Sequence, residues 1–200
     1  MQQNYSSFKE LLSLKKSPED ILSFVSNINA WDHTGQTLLS AAVEKNDKKL
    51  ISVLLEQPEI ELNRPNNHGR TPLLYAINHG HEWALEQLLD DYRIAVNHQD
   101  RQGTSGLMLA VVQGALRMVQ QLLKHPMIDV NLQDQFGRTA LMLSALYHEH
   151  GVMETLLRHR SINDTLQDRL GRTAFFFAKY SDQRDLVKML LRHPRLSYAL

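Results

Sequence analysis

Ten histidines in 200 residues are the first place to look for chemistry, because imidazole serves both as a metal ligand and as a general base. The closest pairs are His79-x-His81 and His148-Glu149-His150. Residues two apart on a helix point to different sides, so neither pair reads as a shared metal site. His125, His159 and His193 recur every 34 residues. Packed helices would hold them roughly 8–10 Å apart, too far to share an ion whose ligand bonds are about 2 Å. Cysteine is absent, which excludes thiolate nucleophiles, disulfides and cysteine zinc sites. Gly103-Thr104-Ser105-Gly106 places a serine among glycines without the glycine spacing of a nucleophile elbow. No glycine-rich loop followed by Lys is present to cradle a phosphate. The chain is therefore expected to be no enzyme, with no metal and no cofactor.

What these residues share is a register, and the register defines the elements that carry them. Glycines stand at 35, 69, 103, 137 and 171, each 34 residues from the last. Three places before them are Asp32, Asn66, Asp100, Asp134 and Asp168, and two places after them Thr37, Thr71, Ser105, Thr139 and Thr173. A glycine takes a positive φ without a Cβ clash, and an Asp or Asn three residues earlier can bond the turn's backbone. The Thr/Ser column suits a helix N-cap, with Pro72 just inside one helix. Ala42, Ala76, Ala110, Ser144 and Ala178 form a small-residue column that lets a neighbouring helix approach. Asn46, Gly80, Gly114, His148 and Asp182 are residue types that readily turn left-handed and end the first helix. A second apolar-periodic stretch ends in a leucine pair such as Leu122-Leu123, and an extended tail closes with Leu62-Asn63, Val96-Asn97 or Val130-Asn131. Each unit thus reads as turn, helix, turn, helix and extended loop.

Composition agrees with a packed array, since 42% of residues are apolar and 22% charged. The 22 Lys and Arg are balanced by 22 Asp and Glu. The excess cation needed to grip a phosphate backbone is missing, and no nucleic-acid partner is expected. Met1 to Glu10 lacks the pattern of a secretory signal, and the richest apolar run, Leu107 to Val119, is broken by Gln113, Gly114 and Arg117. The expectation is no membrane partner and a cytoplasmic location.

Thr71-Pro72-Leu73 with Ala76, after the Asn66-x-x-Gly69 turn and before Leu88-Leu89, resembles the ankyrin repeat, over residues 28 to about 198. The resemblance implies an all-α ankyrin-repeat solenoid. The organisation expected is an N-terminal helical cap over residues 1–31 and five repeats over about 32–65, 66–99, 100–133, 134–167 and 168–200. One departure is that the family's His after Leu is replaced by Ser40, Leu74, Met108, Met142 and Phe176, so its usual bonds between neighbouring turns need a substitute. Repeat three also carries Gly103, Gly106 and Gly114, and the glycine in a first helical turn makes it the softest interior repeat expected.

The resemblance further implies a protein–protein interaction module that binds through a concave face of turn tips and first helices. The tip columns, four, two and one places before each Gly and one place after it, hold twenty residues with five Arg and no acid. The partner-binding residues expected are Arg70, Arg101, Phe136, Arg138, Leu146, Tyr147, Arg169, Leu170, Arg172 and Tyr180. They would favour a protein or peptide partner with an acidic or phosphorylated segment and an apolar anchor. Asn63, Asn97 and Asn131, each with Leu eight places earlier, match substrates of an asparaginyl hydroxylase, Asn131 best; a purely structural role in the loop is the alternative. The apolar fifth copy, with Phe175-Phe176-Phe177, lacks a visible polar cap and offers a face for a second copy of the chain. The rival function is a targeting or regulatory fragment of a longer enzyme or of a translocated bacterial effector, which would act in the host cytosol.

Overall fold

The computed structural model describes residues 7–14, 16–180 and 183–192. The chain divides into two compact units, Met1–Ala95 and Val96–Leu200. The first holds α1 (Phe8–Ser13), α2 (Pro18–Phe24), α3 (Leu38–Lys45), α4 (Lys48–Leu55), α5 (Pro72–Asn78) and α6 (Glu82–Leu89). The second holds α7 (Gly106–Val112), α8 (Leu116–Lys124), α9 (Ala140–Leu146), α10 (His150–Leu157), α11 (Ala174–Tyr180) and α12 (Arg184–Arg192). Among the described residues there is no strand, only the isolated bridges Trp31–Thr37 and Gln99–Ser105. No described helix is long and apolar enough to cross a membrane.

The columns act as their chemistry requires. Each of Thr37, Thr71, Ser105 and Thr139 sits in extended conformation and accepts at its hydroxyl from the N–H three residues on, a cap worth about 1 kcal/mol. Asp134 Oδ1 accepts from the N–H groups of Phe136 (2.9 Å) and Arg138 (2.8 Å), and Asp32, Asn66, Asp100 and Asp168 bond their own turns in the same way. Asn46 (φ 55°) and His148 (φ 63°) take the left-handed conformation beside Gly80 and Gly114. Asp182 lies outside the described residues. The small column is fully buried, and Leu54, Leu88, Leu122, Leu156 and Leu190 are buried beneath it. Within each unit first helices pack on first helices: α3 on α5, α7 on α9, and α9 on α11.

In the first unit α1 and α2 pack on α3 and α4 through buried Leu11 and Ile21. This pair escapes the 34-residue ruler because its offset is 30: Ser7 and Ser17 cap α1 and α2, as Thr37 and Asp47 cap α3 and α4. It is an abbreviated repeat that is four residues shorter before its tail.

Two ladders of hydrogen bonds tie neighbouring copies together within each unit. At the tips, Asn67 N–H donates to Thr34 O (3.1 Å), Gln135 N–H to Gln102 O (2.9 Å) and Arg169 N–H to Phe136 O (3.0 Å). At the tails, each asparagine bonds the next tail rather than its own loop. Asn63 Nδ2 donates to Arg93 O (2.8 Å) and its Oδ1 accepts from Ala95 N–H (2.8 Å). Asn97 does the same with Met127 and Asp129, and Asn131 with Ser161 and Asn163. Asn29, one register earlier, joins them through Glu59 and Glu61.

Candidate functional site

In the second unit the tip turns are rigid, because each aspartate fixes its backbone and each tip bonds the next. Side chains that point away from these turns are therefore displayed with little freedom to lose. Leu170 is 74% exposed, Phe136 52%, and Tyr147, at the end of α9, 46%. Tyr180, at the end of α11, is 84% exposed and stacks on Phe176, with ring centroids 5.5 Å apart. Leu146 is half-buried against its own helix layer. Exposed apolar side chains scattered singly are ordinary; here they fall in the tip and first-helix columns of two successive copies, the fourth and the fifth.

The arginines fall into two classes. Arg138 grips Asp134 through Nε (2.8 Å) and Nη2 (2.7 Å), and Arg172 grips Asp168 with the same two distances. Burial raises the Asp168 carboxyl, but hydrogen bonds from Arg172 and from backbone N–H groups outweigh it and hold the group below its ordinary value. Arg138 also lies 4.8 Å from the Phe136 ring centroid, and Arg172 4.8 Å from that of Phe177. Arg101 and Arg169 are exposed and have no side-chain partner among the described residues. Of the four tip-column arginines of this unit, these two have no carboxylate partner among the described residues.

In the first unit Arg70 is half-buried beside its turn. Trp31, 57% exposed, carries the Arg64 guanidinium 3.7 Å from its ring centroid. That pair is legible as an aromatic residue in a tip column with Arg 33 places later, and it lies outside the partner-binding set expected from the sequence. Gln36, placed at an exposed tip by the register, is instead buried and donates to Glu44 (2.6 Å), which also pairs with Lys9 of α1 (2.8 Å). Gln99 and Gln133, two further tip residues, donate their side-chain amides to the carbonyls of Gly103 and Gly137 and of the next tip's Gln133 and Gln167.

The three phenylalanines of the fifth copy split: Phe177 is buried, Phe175 half-buried and Phe176 exposed. His125 and His159 each accept at Nδ1 the backbone N–H two residues on, from Met127 and Ser161, and His193 lies outside the described residues. Among the described residues no three His, Asp or Glu side chains are grouped to hold a metal ion.

The family described as ankyrin repeats (3 copies) matches residues 1–100 and 107–198. No curated protein matches the sequence. The crystal structure of EF0377, an ankyrin repeat protein, matches with a TM-score of 0.82, covering 96% of this chain and 100% of that one at 22% identity. At that identity the likeness is one of fold.

Proposed function

This chain belongs to the ankyrin-repeat family, and we propose that it is a non-catalytic recognition module whose second unit binds a protein segment on its tip and first-helix face. Ankyrin repeats are in general protein–protein interaction modules. The observation that carries the finer reading is the set of exposed side chains Phe136 and Leu170 on hydrogen-bonded turns and Tyr147 and Tyr180 at the ends of α9 and α11, with Arg101 and Arg169 in the tip column next to that of Phe136 and Leu170. A preformed surface loses little entropy on binding, so a few aromatic anchors can carry most of the affinity. The free guanidiniums favour an acidic or phosphorylated segment, and the two paired ones serve mainly to stiffen the turns.

Selection of displayed peptides on the full chain tests this. Enriched peptides should combine acidic residues with an apolar anchor and lose at least tenfold in affinity for Phe136→Ala/Leu170→Ala. Arg169→Glu should weaken them further without altering thermal stability. Arg138→Glu is a poor probe, because it leaves a second carboxylate against buried Asp134. Peptides that bind the variants as well as the native chain would remove the proposal.

The resemblance also marks Asn131, Asn97 and Asn63 for asparaginyl hydroxylation. Both ends of each side-chain amide are hydrogen-bonded, so modification requires the tail to open first. A second copy of the chain is a further candidate partner at the fifth copy. Phe176 is 41% exposed there, whereas Met142, Met108 and Leu74 at its register are buried.

A further inference from the structure

The first helix pair and the pair that follows it leave a groove between them. α1 spans six residues where α3 spans eight, and α2 begins at Pro18. Between the end of α1 with the start of α2 on one side and the end of α3 with α4 on the other lies a groove of about 1010 Å³, at the top of the range of about 300–1,000 Å³ typical of ligand clefts.

Its apolar side is formed by half-buried Leu12, Pro18 and Val53. Val53 is itself informative, since Gln87, Gln121 and Thr155 hold its register in the next three copies. Around the groove stand the exposed ammonium groups of Lys16, Lys45 and Lys49. Lys45 and Lys49 have no ion-pair partner among the described residues, and Lys16 lies 4.7 Å over the Phe24 ring. Two carboxylates line the groove as well. Asp47 is committed to capping α4 through the N–H of Leu50 (3.1 Å), and Glu19 stands on the first turn of α2.

We propose that this groove is a second binding site, for an acidic protein segment carrying an aliphatic side chain. The aliphatic group seats against Leu12, Pro18 and Val53, and flanking carboxylates meet Lys16, Lys45 and Lys49. The site lies wholly within the first unit and shares no residue with the tip face of the second. Apolar contact selects the anchor, and the three lysines exclude segments of the wrong charge.

The test is a nuclear magnetic resonance titration of the isotope-labelled full chain with the peptide acetyl-Glu-Glu-Leu-Glu-Glu-amide. Two control peptides carry Gln for every Glu, or Ala for Leu. Shifts should be confined to the amides of residues 12–19 and 45–53, weaken as salt rises, and be at least tenfold weaker with either control. Lys45→Glu/Lys49→Glu should abolish them, and Val53→Gln, which installs the residue of the next copy, should weaken them while the chain stays folded. Phe136→Ala/Leu170→Ala should leave them unchanged, which separates this site from the tip face. No shifts at about 1 mM peptide, shifts on the tips, or equal binding of the Gln peptide would overturn the proposal. So would sedimentation with phosphatidylserine vesicles, lost in the double lysine variant, when the peptide does not bind.

Discussion

Replacing Asn131 tests whether the asparagine ladder holds one tail to the next. Its Nδ2 donates to Ser161 O at 2.7 Å, and its Oδ1 accepts from Asn163 N–H at 2.8 Å. A typical intramolecular hydrogen bond contributes about 1 kcal/mol net, so Asn131→Ala should cost about 2 kcal/mol. For a chain of this length that lowers Tm by about 4–8 °C. Asn131→Asp is the sharper variant, because it keeps the shape and the acceptor while replacing the donor by a second oxygen facing the Ser161 carbonyl. At neutral pH it should destabilise at least as much as Ala. Facing a carbonyl, the introduced carboxyl favours its protonated form, so as pH falls toward the ordinary aspartate pKa of about 4 it can donate again and part of the loss should return. Urea unfolding at pH 7 and pH 4 measures the difference. Hydrogen exchange at the Asn163 amide reads the local opening whether or not the array melts in one step. A cost below about 0.5 kcal/mol for Asn131→Ala, or an aspartate tolerated like the native residue at pH 7, would refute the reasoning.

Two glycines should respond in opposite directions. Gly137 has φ +78°, and a Cβ there would stand 2.8 Å from Arg169 N, so Gly137→Ala should lower stability by more than about 1 kcal/mol in chemical unfolding. Gly151 is helical, and the nearest atom to its added Cβ is 3.7 Å away, so Gly151→Ala should raise stability by up to about 1 kcal/mol. Acid should weaken the fold. Burial raises the Glu44 and Asp168 carboxyls, but bonds from Lys9 and Gln36 to the first and from Arg172 to the second leave both below their ordinary values. Their contribution is present above the unfolded-state pKa of about 4 and is lost as pH falls through the lower folded values, which a Tm series from pH 7 to pH 2 would show as a decline below about pH 4. Amides of α7 should exchange faster than those of α9, since Gly106 opens the one helix and Ala140 the other.

The repeated elements were legible because each column answers a local backbone demand that recurs unchanged. The positive φ at Gly137, the cap at Thr139 and the left-handed residue at His148 are decided within a few residues of the chain. What the register could not convey depends on what stands opposite in space. Asn131 looked like a residue serving its own loop, and its partners proved to be 30 and 32 residues away. Asn29 belongs to the same column, yet it follows a helix pair offset by 30 rather than 34, so a single ruler did not show that the expected cap is itself an abbreviated repeat. Gln36 shares its column with Arg70, Thr104, Arg138 and Arg172, but Lys9 and Glu44 of the first unit draw it inward.

The arginines carry the same lesson into the binding surface. Counting five Arg and no acid among the tip columns suggests a strongly cationic face, because the Asp column, which lies between two of those columns, is left out of the count. Arg138 and Arg172, four residues after Asp134 and Asp168, close onto buried carboxylates that are already accepting backbone N–H groups. Their charge is therefore neutralised where it stands. An ion pair with one nearly buried partner still holds its side chain in one place, and Arg138 lies beside the Phe136 ring. The pair thus restricts Phe136 more than it attracts an anion, and charge selection falls to Arg101 and Arg169. If so, raising salt should weaken a bound segment only as far as those two residues explain, and Arg101→Gln/Arg169→Gln should remove most of the salt dependence while leaving the apolar anchor in place. A salt dependence that survives this double substitution would return the attraction to Arg138 and Arg172.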